Sequence, residues 1–312
     1  MSLLRDLAHS SRLPNIPTVW SNVITGYLFG IAFCTAQTGS LAQLLPHFSW
    51  GIIALLLATG TLLYICGTFM NDGVDVEWDK QHRPERAVPS GRIPAGTMIN
   101  LALVFGLGAL ATAFLLGKFS LILAVAIIAA ILLYTAIHKR TAWGAVAMGI
   151  CRALLFPMAA LCGHRYLGAE INQLIHVSIA AGVGMMIFIG AITWFARHET
   201  SNDPPRTHYW LKTVVFTIPF LIPVIAIPIL VPDAPFWNST TALICGVVGI
   251  LWICIAMEQG KRQGTGKFVS SALAGIPLLD AMWMPNHQPL LLIIPFALFV
   301  LSLALQKVTS AT

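Results

Sequence analysis

Trp50-Gly-Ile-Ile-Ala-Leu-Leu-Leu-Ala-Thr-Gly-Thr-Leu-Leu-Tyr-Ile-Cys-Gly-Thr-Phe-Met70 carries no charge and passes directly into Asn71-Asp72-Gly73-Val74-Asp75-Val76-Glu77-Trp78-Asp79-Lys80. A bilayer core about 30 Å thick is crossed by about 20 apolar residues of helix. The first part therefore reads as a membrane span and the second as its charged end. The whole chain follows the same pattern. Of its 312 residues 57% are hydrophobic and 10% are charged, against roughly 25% charged in a soluble domain. Too little polar surface exists to cover the apolar mass, which excludes a soluble enzyme, and the apolar content excludes disorder. A polytopic membrane protein remains.

Outward from 50–70, nine further apolar runs come close to span length: 16–36, 98–116, 119–137, 143–162, 174–195, 214–231, 242–257, 268–284 and 290–305. The run 268–284 is short and holds Pro277 and Asp280, so it reads as a span, a re-entrant segment or a surface helix. The expected fold is all-α: a transmembrane bundle of nine or ten helices within one domain over 1–312. If the N-terminus faces the cytoplasm and every run crosses, fifteen Lys and Arg fall inside and only Lys118 and Arg165 outside. That is the positive-inside bias, and it puts the N-terminus and two charged loops, 71–95 and 196–211, on the cytoplasmic side. The formal net charge of +6 is thus topology, with no call for a nucleic-acid partner. The loops follow the second and sixth spans, which hints at two four-helix halves. The six cysteines lie in apolar runs without a CxxC pair and read as buried, inert thiols. The polar start up to Pro14 does not read as a cleaved signal peptide.

The first loop carries the chemistry. Asp72, Asp75 and Asp79 stand at i, i+3 and i+7, with Asn71 four before Asp75. On a continued helix these four share one face, where like charges repel. A divalent cation would offset the repulsion, and an oxygen-only ligand set favours Mg²⁺. Mg²⁺ usually completes its shell with waters and substrate phosphates. Arg83, Arg86 and Arg92 could meet such a phosphate through bidentate contacts. The competing reading is a solvated loop whose five acids and four bases pair with one another.

The pattern NDxxDxxxD at Asn71, Asp72, Asp75 and Asp79, followed by Arg83-Pro84, Arg86 and Pro89-Ser90-Gly91-Arg92, resembles the first aspartate-rich motif of the UbiA superfamily of intramembrane prenyltransferases. Arg12-Leu13-Pro14-Asn15 resembles the family's RPxN opening, and Asn22 fits a polar site residue in the first span. Tyr134 with Lys139, then Met148-Gly149 and Cys151-Arg152, resembles the central stretch, as it occurs in the EboC-like branch. The resemblance implies a bundle of about nine transmembrane helices around a central cavity. It implies that Asn71, Asp72, Asp75 and Asp79 hold Mg²⁺ and a polyprenyl diphosphate whose tail lies among the spans. Ionisation of the allylic diphosphate then leaves a cation for an acceptor to attack. Arg83, Arg86, Lys139 and Arg197 become diphosphate contacts, and Arg12, Asn22, Arg92, Tyr134, Arg152 and His198 substrate-binding residues.

The second loop departs from the family, which usually has paired aspartates there. This chain has Arg197-His198-Glu199-Thr200-Ser201-Asn202-Asp203. Glu199 and Asp203, at i and i+4, replace the aspartates as metal ligands; or Arg197 and His198 hold diphosphate directly; or the site is weakened. Elsewhere, Arg152 is an intramembrane charge and so a functional candidate, set against a structural pairing. Asp280 reads as a cap or kink near Pro277, His176 as interfacial, and His82, His138 and His208 as solvated. Trp50, Trp143 and Trp237 fall near span ends, as in an aromatic belt. The functional expectation is a Mg²⁺-dependent prenyltransferase; the alternative is a transporter or lipid-binding protein on the same fold. Broken helices would favour the alternative, and the sequence has no evident broken pair. The acceptor, the prenyl length and any protein partner are not legible.

Overall fold

The structure is a computed structural model that describes residues 3–35, 41–164, 171–197, 209–232, 234–287 and 289–309. All its regular elements are helical. Besides three short 3-10 turns at Leu13–Asn15, Leu45–His47 and Pro289–Leu292, they are α1 (Leu3–Ser10), α2 (Ile16–Thr35), α3 (Leu41–Leu44), α4 (Trp50–Val74), α5 (Val76–His82), α6 (Ala95–Leu116), α7 (Lys118–Ile137) and α8 (Trp143–Ala153). There follow α9 (Leu155–His164), α10 (Ile171–Arg197), α11 (Tyr209–Leu230), α12 (Ser239–Gln263), α13 (Thr265–Ala274), α14 (Ile276–Trp283) and α15 (Ile293–Leu305). Among the described residues eight helical segments, counting α8 with α9 as one, are long and apolar enough to cross a membrane.

Local sequence sets the ends. Ser49 caps α4 by accepting from the Ile52 amide at 3.4 Å, and Asn238 caps α12 by accepting from Thr241 at 3.0 Å. Gly117 and Gly264 close α6 and α12 with φ of 118° and 93°, a region that penalises any side chain.

Helix α2 is the axis of the bundle. It packs on α4, α9, α14 and α15, and Val19, Val23, Phe29 and Ala32 are fully buried. Gly26 and Gly30, one small residue per turn, let α9 close in: a Cβ at Gly26 would sit 2.6 Å from the Phe156 carbonyl oxygen, and one at Gly30 would overlap the backbone of Ala160. Such small-residue stripes let helix backbones approach closely where both partners are equally apolar. By contrast α6, α7 and α11 expose Leu103, Leu107, Phe114, Ile122, Ile225 and Ile229. An apolar surface of this extent suits lipid, not water.

Two segments are broken, contrary to the expectation of none. The α8–α9 segment breaks at Leu154, three residues before Pro157, and α13–α14 breaks at Gly275, two before Pro277. A proline lacks the amide that the preceding turn needs, a cause visible in the sequence but not decisive there. The run 268–284 is not a surface helix. Gly260 faces Phe268, Gly275 faces Trp252 and Gly246 faces Met282, so α13–α14 runs antiparallel along the full length of α12. All eight residues of α14 are buried, and irregular backbone at membrane depth is tolerated only inside protein.

Trp50 and Trp143 begin α4 and α8 and are exposed, as an aromatic belt requires, whereas Trp237 is not. Trp237 is buried and donates its indole N–H to the Met282 carbonyl at 2.9 Å, pinning the α11–α12 connection to α14.

Candidate functional site

The helix of the opening stretch does not end at Met70. Helix α4 continues to Val74, and the Asp75 amide still donates to the Asn71 carbonyl at 2.9 Å. Asp75 (φ −82°, ψ 8°) interrupts the helix for one residue. The Asp79 amide then donates back to Asp75, and that of Arg83 to Asp79. Near-helical phase is thereby kept from Asn71 to Asp79, and Asn71, Asp72, Asp75 and Asp79 are all buried. Glu77 points outward and pairs with Lys80 at 2.8 Å.

Each carboxylate meets a basic side chain. Asp72 lies 3.3 Å from Arg12 and 3.6 Å from Arg86; Asp79 lies 3.1 Å from Arg86. Asp75 Oδ2 is 3.1 Å from His138 Nε2, and its Oδ1 is 2.8 Å from Lys139 Nζ. The Lys139 ammonium also sits 4.3 Å over the Trp78 ring, a cation–π contact. Burial alone would raise the Asp75 carboxyl, but hydrogen bonds from His138 and Lys139 hold it below its ordinary value. Burial first, and then repulsion from Arg12 and from Arg83, pull the Arg86 guanidinium down. Basic groups are thus crowded at this point, a favourable setting for an anion. Arg12 itself has φ 48° and is the one non-glycine residue with positive φ among the described residues.

In this arrangement the side-chain cations offset the carboxylate repulsion. Among the described residues no group of three or more His, Cys, Asp or Glu is gathered closely enough to hold a metal ion. The chemistry of the donors nevertheless suits Mg²⁺: they are all oxygens, and the buried Asn71 Oδ1 has no hydrogen-bond partner among the described residues.

A cavity of about 460 Å³ opens beside these residues. Arg12, Asn71, Asp75, Asp79, Arg83, Arg86, Tyr134, Lys139 and Arg152 line it. Its remaining walls are largely apolar, from Val19, Leu63, Ile127, Ile131, Leu155 and Ile189. Asp72, Asn22 and Arg92 are not on the lining. Asp72 stands behind Arg12 and Arg86. The Arg92 Nε donates to Asp6 of α1 at 3.1 Å, and its Nη2 donates to the Glu85 carbonyl at 2.9 Å, so Arg92 ties α1 to the loop. Asn22 belongs to a buried polar chain: Arg152 donates to Asn22 Oδ1 at 3.1 Å and to Thr18 Oγ1 at 2.8 Å, and Asn22 Nδ2 donates to Asp280 Oδ1 at 2.7 Å. Asp280 therefore links α14 to α2 and α8 instead of capping a helix. Arg152 lies 5.5 Å from the Tyr64 ring.

Three cavity residues escaped the sequence reading. His138, expected to be solvated, is half-buried, stacks on Tyr134 with centroids 4.5 Å apart, and contacts Asp75. Its i+4 spacing from Tyr134 was the available signal. Tyr64 lies two turns before Asn71 on α4 and accepts from Asn15 Nδ2 at 3.0 Å. Trp78 occupies the aspartate stretch itself. Arg197 ends α10. His198, Glu199, Asp203 and His208 lie outside the described residues.

Comparison with known proteins gives a consistent result. The sequence profile of the UbiA prenyltransferase family matches residues 31–262. A solved structure of a digeranylgeranylglyceryl phosphate synthase is similar over 97% of this chain and 100% of its own, with 17% identity and a TM-score of 0.59. The apo structure of a UbiA homologue from Aeropyrum pernix K1 is similar over 86% and 96%, with 14% identity and a TM-score of 0.63. A UbiA homologue from Archaeoglobus fulgidus is similar over 93% and 99%, with 14% identity and a TM-score of 0.55. Among curated proteins none matches the chain. At these identities the structural likenesses concern the fold.

Proposed function

This chain belongs to the UbiA prenyltransferase family, and we propose that it transfers an isoprenoid chain from a polyprenyl diphosphate to an acceptor within the membrane. The observation that carries this reading is one cavity with a densely charged mouth and apolar walls. A donor with a diphosphate head and an isoprenoid tail has the same division.

In the proposed mechanism the diphosphate lies at the mouth. Arg12, Arg83, Arg86 and Lys139 are the cations there that can contact its oxygens; guanidinium groups suit such contacts because their fork matches phosphate geometry. Asn71, Asp75 and Asp79 would hold Mg²⁺, with Asp72 behind them and Glu199 and Asp203 as further candidates. Bound Mg²⁺ would neutralise charge on the diphosphate as the leaving group departs. As the allylic C–O bond breaks, negative charge grows on the diphosphate, and fixed cations favour that charge without reorganising. The apolar walls exclude the water that would otherwise capture the allylic cation. Tyr134 presents an aromatic face at the mouth, oriented by its stack on His138. Arg152 stands beside Tyr64 as the candidate contact for the acceptor, while Arg92 supports the loop through Asp6. The charged mouth is taken to face the cytoplasm on the Lys and Arg distribution, and 1–312 is taken as one prenyltransferase-like domain.

The test is prenyl transfer from labelled allylic diphosphates of graded length into a membrane lipid extract. Asp75→Ala should lower turnover at least a hundredfold (about 2.7 kcal/mol). Unchanged turnover would remove the aspartate site from the mechanism. The second reading, a carrier on the same fold, is favoured by the two broken segments. Against it, the paired charges gather at one end of the bundle and not at its middle.

A further inference from the structure

The three mouth carboxylates and the cations that line the same cavity already satisfy one another. Asp72 is held by Arg12 and Arg86, Asp79 by Arg86, and Asp75 by His138 and Lys139. Asp72, Asp75 and Asp79 thus stand against Arg12, Arg86 and Lys139, three negative charges against three positive ones, with Arg83 and His138 close by. The carboxylates are 5%, 7% and 2% exposed, so water screens them little. Removing one partner from a buried ion pair leaves an uncompensated charge, which costs more than the pair itself contributes.

We infer that the mouth is a closed set of ion pairs, and that a divalent cation and a diphosphate bind to it cooperatively by exchanging partners with that set. This inference rests on the diphosphate reading above. A divalent cation arriving alone must take carboxylates from Arg86 and Lys139, leaving those half-buried cations without their carboxylate counter-charge. A diphosphate arriving alone must take the same cations and strand the carboxylates. When both arrive, the metal takes the carboxylates and the diphosphate takes Arg12, Arg86 and Lys139, so every group keeps a counter-charge, and the single negative charge in excess faces Arg83 on the same lining. Asn71 Oδ1, buried and without a hydrogen-bond partner among the described residues, is an oxygen that the metal gains without breaking a pair. By linkage each ligand must raise the affinity for the other by the same factor, commonly about 5–150-fold.

One consequence runs against intuition: deleting a basic residue should improve binding of the metal alone. The experiment titrates Mn²⁺ into the purified full-length protein in detergent, reading free Mn²⁺ by electron paramagnetic resonance with no diphosphate present. Arg86→Gln, which frees Asp79 and one side of Asp72, should bind Mn²⁺ about tenfold tighter than the unmodified protein, within the range of such couplings. Lys139→Gln, which frees Asp75 from its ammonium, should change affinity in the same direction. The thermal midpoint gives a second reading, since a ligand that binds the folded state raises it. Mn²⁺ should raise the midpoint of Arg86→Gln more than that of the unmodified protein. Unchanged or weaker Mn²⁺ binding in both variants, with no greater midpoint shift, would overturn the inference. A separate titration with inorganic pyrophosphate in saturating Mg²⁺ tests the underlying reading. Binding there together with unaltered Mn²⁺ affinity in the variants removes only the exchange; no pyrophosphate binding at all removes the diphosphate reading as well.

Discussion

At the scale of single residues, the account depends on where charge is placed and what faces it. The spacing of Asn71, Asp72, Asp75 and Asp79 put four polar groups on one helical face, and the structure keeps that phase past the interruption at Asp75. What spacing could not supply was the identity of the partners. Arg12 is 60 residues from Asp72, and His138 is 63 from Asp75; only the packed bundle brings them together. Arg152 raises the same issue deeper in the protein. Among the described residues its guanidinium has only uncharged hydrogen-bond partners, Thr18 and Asn22, and Asn22 relays it to Asp280. If that relay is electrostatic, removing either charge exposes the other. Arg152→Gln and Asp280→Asn should each lower stability in detergent. The double variant should lose less than the sum, with an interaction energy of about 0.5–3 kcal/mol. Strict additivity would mean that Asn22 separates the two charges instead of coupling them.

At the scale of elements, most helices were legible because a membrane span needs only length and apolarity. The breaks were not. Pro157 and Pro277 stood in apolar runs alongside Pro219, Pro223 and Pro228, and the latter three sit within an α11 that remains continuous. Whether a proline breaks a helix depends on whether neighbours can satisfy or bury the freed carbonyl, which is a property of packing. The approach of α2 to α9 is similarly tertiary. Gly26 and Gly30 look unremarkable in sequence, yet a Cβ at Gly30 meets the Ala160 backbone. Gly30→Leu should therefore separate the two helices and destabilise the protein by about 1–3 kcal/mol, read as a lower unfolding midpoint in detergent. An unchanged midpoint would show that α9 can shift without cost, and that the close crossing is not required.

At the scale of the whole molecule, scarce charge is the organising fact. With 10% charged residues, the chain surrounds one charged mouth with apolar helices, and the cavity leads from that mouth into the bundle. Fold and family were readable because they rest on hydropathy and on one long motif. The acceptor was not, because Tyr64 and Arg152, the side chains proposed to meet it, come together only across helices. The central claim is that this cavity joins an isoprenoid to an acceptor. Mass spectrometry of lipids from cells with and without the gene tests it most directly. The account predicts that a prenylated species disappears with the gene, returns with the unmodified protein and does not return with Asp79→Asn. Identical lipid profiles with and without the gene, or full restoration by Asp79→Asn, would contradict it.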